Sequence, residues 1–144
     1  MSAENFFSET QKSSIRKAII DAEQKTSGEI RVHIEEKCSD NAVKRAEEVF
    51  GKLKMHETKG RNGVLFYLAI DSRVFAIFGD KGIHEKVTAQ FWDAASAVME
   101  QYFKKEEFTE GLVAGINMAG EQLAIHFPFK SDDKNELTND ISFQ

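Results

Sequence analysis

Two apolar patterns limit what this chain can fold into. Residues 64–70, VLFYLAI, are apolar without a break, whereas Ile30, Val32 and Ile34 alternate with Glu29, Arg31, His33 and Glu35. Alternation with a period of two gives a strand with one apolar and one polar face, while an unbroken apolar run of strand length calls for burial on both faces. A strand covered on both sides needs helices on both sides. The chain is therefore expected to form an α/β layer structure.

The flanking segments supply those helices. Ser8 and Gln11 have capping-box spacing ahead of Ile15, Ala18, Ile19 and Ala22, a stripe at helical intervals that Gly28 ends. Ser39 and Asp40 are placed to cap a helix carrying Val43, Ala46, Phe50 and Leu53. A helix between the strands at 29–35 and 64–70 makes these strands parallel, joined by a right-handed crossover. Asp71 and Ser72 form a short polar break, so Val74 to Phe78 is expected to return antiparallel as a hairpin and the sheet is mixed. Phe91, Ala94, Ala95, Val98 and Tyr102 mark a third helical face, and Leu112, Ile116, Ala119 and Leu123 a fourth, ended by Pro128. Gly111, Gly115 and Gly120 in this last helix each cost roughly 1 kcal/mol relative to alanine, a loss that close approach to the sheet or another helix would offset.

The hydrophobic fraction of 41% in 144 residues suits one compact domain, assigned to residues 1–128. Residues 129–144 read as a polar, acidic, flexible tail with Asp132, Asp133, Glu136 and Asp140, although Leu137, Ile141 and Phe143 could dock on a groove. A net charge of -5 leaves no basic footprint for nucleic acid. Cys38, the single cysteine, excludes an internal disulfide. No basic start precedes an apolar stretch and no run approaches the ~20 apolar residues of a membrane span, so a soluble, cytoplasmic protein is expected. His33, His56, His84 and His126 lack zinc-ligand spacing, GDKGIHEK lacks the phosphate-loop arrangement, and DDKNELTND lacks the glycine and glutamate of an EF-hand.

Three segments, TSGEIRVHIE from 26, RNGVLFYLAIDSRVFAIFGDKGI from 61 and FTEGLVAGI from 108, resemble the TPM domain family, also called the TPM phosphatase domain, over about residues 8 to 128. The resemblance implies a three-layer, Rossmann-like α/β/α sandwich. It also implies two chemistries, because plant relatives are described as acid phosphatases and several members bind calcium. The chain departs from the family pattern at Gly79, Asp80, Lys81, Gly82, Ile83 and His84, after the hairpin. It also lacks the signal segment and glycine-rich tail of many bacterial members, so their location does not carry over.

The expected topology brings the end of the third strand beside the starts of the first two, and with it Glu29, Asn62 and Asp80. If the fourth helix begins there too, Glu107 and Glu110 add the hard oxygen ligands that calcium prefers. The alternative is a set of solvated carboxylates at strand ends, one of them capping a helix. Glu35, Glu36, Asp40 and Asp71 gather at the opposite end, where open α/β sheets usually bind ligands. There Asp71 would be the nucleophile or metal ligand of a phosphatase, with Arg73 meeting the phosphate. The leading expectation is a calcium-binding accessory module using Glu29, Asp80, Glu107 and Glu110. A weak metal-assisted phosphomonoesterase using Asp71 and Arg73 is the alternative, and a protein-interaction module using Trp92 or the acidic tail is a third reading.

Overall fold

The computed structural model describes residues 2–130 and 138–144. Strand β1 (Glu29–Glu35) pairs in parallel with β2 (Gly63–Ala69), Glu29 lying opposite Gly63 and Glu35 opposite Ala69. Strand β3 (Val74–Gly79) returns antiparallel to β2. On the far side of β1, the short β4 (Ser142–Phe143) pairs in parallel with His33 and Ile34, giving the order β3-β2-β1-β4.

Among the described residues, six α-helices accompany the sheet: α1 (Ala3–Phe6), α2 (Glu9–Glu23), α3 (Ala42–Lys52), α4 (Lys81–His84), α5 (Ala89–Lys104) and α6 (Phe108–His126). Ile30, Val32, Ile34, Val64, Phe66 and Leu68 face Ile15 and Ile19 of α2 and Leu112 and Ile116 of α6 in one core. Leu65, Tyr67, Ala69 and Ala76 face Ala46, Val49 and Phe50 of α3 in the other. Every position of β2 is buried, as its unbroken apolar run requires. The architecture is the three-layer α/β/α sandwich with a mixed sheet that the sequence predicts.

Ser8 and Gln11 form the reciprocal capping box of α2. The cap of α3 is Asn41, one residue beyond the expected Ser39 and Asp40, because its side chain reaches the N–H groups of Val43 and Lys44. The glycines of α6 mark close packing. A Cβ on Gly115 would lie 2.5 Å from Met99 Sδ and 2.9 Å from the Phe66 ring, and one on Gly120 would lie 2.8 Å from Ala22 Cβ.

Two expectations are corrected. The polar face of β1 is not solvated: Glu29, His33 and Glu35 are 2%, 3% and 5% exposed. The chain beyond residue 138 is not a free tail, since Ile141 is buried and Ser142–Phe143 extend the sheet. Asp132, Asp133, Lys134, Glu136 and Leu137 lie outside the described residues. No helix among the described residues is long and apolar enough to cross a membrane.

Candidate functional site

At the start of β1, the expected cluster is divided among structural duties. Asp80 accepts two N–H groups from Arg61, at 2.7 and 2.9 Å, and the N–H of Lys81 at 2.7 Å, so it is both an ion-pair partner and the cap of α4. Asn62 is buried between the strands, its carbonyl accepting the Glu29 N–H at 3.4 Å. Glu29 lies against Glu23 of α2, whose carboxylate accepts the Ile30 N–H at 2.8 Å. Burial, helped by the nearby Glu29 charge and resisted by the Ile30 hydrogen bond, pushes the Glu23 carboxyl up to about 8.

Glu107 and Glu110 are not at this end. The Thr26 hydroxyl donates to the Leu123 carbonyl at 3.0 Å, so α6 finishes beside the start of β1 and begins at the opposite end of the sheet. The reason is α5: after β3 and α4 it crosses the molecule, and α6 returns antiparallel to it. The four residues Glu29, Asp80, Glu107 and Glu110 are thereby split between the two ends. Among the described residues, no group of three or more His, Cys, Asp or Glu side chains is arranged to hold a metal.

The buried polar face of β1 forms a network that sequence reasoning missed. Arg45 of α3 donates two N–H groups to Glu35, each at 2.9 Å, and the Tyr67 hydroxyl donates to the same carboxylate. His33 Nε2 lies 3.4 Å from Glu35, and its Nδ1 lies 2.9 Å from the Ser142 hydroxyl. Burial alone would raise the Glu35 carboxyl, but Arg45 and Tyr67 together hold it below the usual carboxylate range. Burial lowers His33 and keeps it neutral, against the pull of Glu35. The network joins β1, β2, α3 and β4 through one charge. Its only sequence signal was Tyr67, a polar tip within an otherwise apolar strand.

A groove of about 590 Å³ lies at the C-terminal ends of β1 and β2, lined by Phe6, Asp71, Arg73, Glu106, Thr109 and Glu110 among others. Arg73, in the β2–β3 hairpin, donates to Glu106, before α6, at 2.9 Å. Both have left-handed backbones, with φ of 56° and 61°. The Thr109 hydroxyl is buried and has no hydrogen-bond partner. Asp71 and Glu110 are exposed and, among the described residues, form no ion pair. Glu107 is the exposed residue before α6 and supplies no side-chain cap. Glu35, Glu36 and Asp40 lie instead in a separate crevice of about 410 Å³ beside α3. Trp92 does not approach the groove; its ring packs over Gly79, at 3.1 Å from a Cβ placed there, and against Phe91.

A three-layer sandwich with an open acidic groove at the strand ends defines a class of small α/β modules. The chain belongs to the TPM domain family, whose model matches residues 1–122. It is similar to the BA42 protein from the psychrophilic bacterium Bizionia argentinensis, solved by NMR, with 46% identity, a TM-score of 0.91, and coverage of 98% of this chain and 97% of that one. The N-terminal domain of cg2496 from Corynebacterium glutamicum shares the fold at 20% identity and a TM-score of 0.63, covering 82% of this chain and 74% of that one. The N-terminal domain of a P. gingivalis protein shares it at 16% identity and a TM-score of 0.68, with 88% and 83% covered. No match is found among the curated proteins.

Proposed function

We propose that the chain is a binding or accessory module whose groove at the ends of β1 and β2 takes a calcium ion through the carboxylates of Asp71 and Glu110. The observation that carries this reading is the Thr109 hydroxyl, buried without a partner in a groove that also contains two unpaired carboxylates. Calcium takes about six to eight oxygen ligands, and water can complete a set that the protein only begins. The donor types fit a hard cation, and Asp71, Thr109 and Glu110 would hold it. The Glu29 end supports the reading less well, because Asp80 is occupied by Arg61 and the Lys81 N–H.

Calcium titration followed by amide NMR tests the proposal. The amides of Asp71, Thr109 and Glu110 should shift at millimolar ion, and Asp71→Asn with Glu110→Gln should weaken the response about tenfold or more with unfolding unchanged. No shift in these segments at millimolar calcium rejects the reading, and shifts confined to Glu29 and Asp80 move the site to the other end.

A second reading, a metal-assisted phosphomonoesterase, is favoured by Asp71 and Arg73 lining the same groove. In it Asp71 acts as nucleophile or metal ligand and Arg73 meets the phosphate. Hydrolysis of p-nitrophenyl phosphate that disappears in folded Asp71→Asn would support this reading. Activity that persists removes Asp71 from the mechanism.

A further inference from the structure

Beside the acidic groove lies a second, smaller cavity of about 220 Å³ that shares Arg73 and Phe108 with it. Leu68, Phe75, Phe103 and Phe108 supply its apolar lining, Arg73 and Lys104 bring two cationic groups to it, and Glu100 brings one carboxylate. The rings brace one another: Phe103 meets Phe75 edge-on with centroids 4.9 Å apart and stacks on Phe108 at 5.6 Å. The lining is therefore preformed.

Among the described residues, each of the two cations pairs with an exposed carboxylate, Arg73 with Glu106 at 2.9 Å and Lys104 with Glu100 at 3.7 Å. Exposed pairs of this kind are weak, so either cation can exchange its carboxylate for one on a ligand at little cost. An apolar container with exchangeable cations selects a molecule with an apolar body and an anionic head. Two features narrow the head. A single guanidinium fork matches a carboxylate bidentately, and without a metal to neutralise them Asp71 and Glu110 in the adjoining groove disfavour a dianion such as a phosphate ester. Volume narrows the body, because drug-sized ligands occupy ~300–1,000 Å³ and this cavity is smaller.

We infer that this cavity binds a small aromatic carboxylate, its ring among Phe75, Phe103 and Phe108 and its carboxylate on Arg73 and Lys104. The site is separate from the calcium reading, so it is tested with EDTA present and its failure leaves that reading untouched.

The probe is 3-phenylpropionate, titrated into the full chain and followed by amide NMR. Saturable shifts are expected at Arg73, Phe75, Phe103 and Phe108, with a Kd on the order of millimolar for one buried ring and one ion pair. Propionate and 3-phenylpropanol should each bind more weakly. Glu106→Gln removes the competing carboxylate and should tighten binding by up to about fivefold, the equivalent of an exposed ion pair. Arg73→Gln should weaken it about fivefold or more, and Lys104→Gln provides a second variant outside the hairpin. The inference is overturned by an absence of shifts at about 10 mM ligand. Equal binding of 3-phenylpropanol, or an unchanged affinity in Glu106→Gln, removes the anion-binding role. Stronger binding of phenyl phosphate overturns the choice of carboxylate.

Discussion

At the scale of single residues, one buried and one partly buried glutamate show how surroundings decide charge. Glu35 has a guanidinium and a phenol against its carboxylate and stays ionised, whereas Glu23, desolvated and with another carboxyl beside it, is pushed up to about 8. Because the folded value of Glu23 lies above that of an unfolded glutamate, its contribution to stability is fully present below ~4.5 and is lost as pH rises towards 8. Glu23→Gln keeps an oxygen for the Ile30 N–H and cannot ionise. It should therefore flatten the alkaline fall and raise stability at pH 8 by ~1–3 kcal/mol, one pKa unit being worth ~1.4. Urea unfolding at pH 5 and pH 8 measures this, and parallel profiles for the two proteins would sink it. The sequence does not distinguish these roles. Glu29 and Glu35 occupy equivalent positions in the same alternating pattern, and the partners that separate them, Glu23 and Arg45, belong to different helices. Period-two alternation reports which side of a strand is polar but is silent on whether water or another layer covers that side.

At the scale of elements, α6 holds its place by what it lacks. Replacing Gly115 with alanine gains about 1 kcal/mol in helix propensity but pushes a methyl into Met99 and the fully buried Phe66 ring, where overpacking costs ~1–3 kcal/mol. Met99 can yield and Phe66 cannot, so Gly115→Ala should destabilise by ~1 kcal/mol net; a rise in the thermal midpoint would contradict this. Strand β4 makes the opposite case, an element too short for the sequence to announce. Ser142 and Phe143 join the sheet because Ile141 is buried beside them and the Gln144 N–H donates to the Ile34 carbonyl at 3.0 Å. Ending the chain at residue 137 should cost ~2–3 kcal/mol from the lost burial of Ile141 and the edge hydrogen bonds, and should speed hydrogen exchange in β1. Unchanged exchange at His33 and Ile34 would show that β4 adds nothing. By contrast, the capping box of α2, the unbroken apolar run of β2 and the hairpin were all legible, because each rests on neighbours within a few residues.

At the scale of the molecule, the direction of one helix decides which residues can work together. The 16 residues of α5 span ~24 Å, enough to cross the molecule from the Asp80 end to the Asp71 end, so α6 has to start beside Arg73. That length was present in the sequence, and counting it would have placed Glu110 with Asp71 instead of Glu29. The two ends should therefore respond independently. Asp80→Asn, which weakens the pair with the exposed Arg61 guanidinium, should lower the thermal midpoint and leave the calcium shifts at Asp71 unchanged. Coupled loss of both would place the ion at the Asp80 end.

Strand β3 closes the sheet on the side away from β4, and its six residues, VFAIFG, include no proline and no charge. An uncharged edge of this kind is a template on which a second molecule can add a strand, and from there a fibril can grow. The chain guards it at both ends, with Arg73 tied to Glu106 before the strand and Asp80 tied to Arg61 after it. Those two pairs therefore serve as gatekeepers against self-association as well as local braces, and high salt, which screens the exposed Arg73–Glu106 pair most, weakens the guard on the hairpin side first.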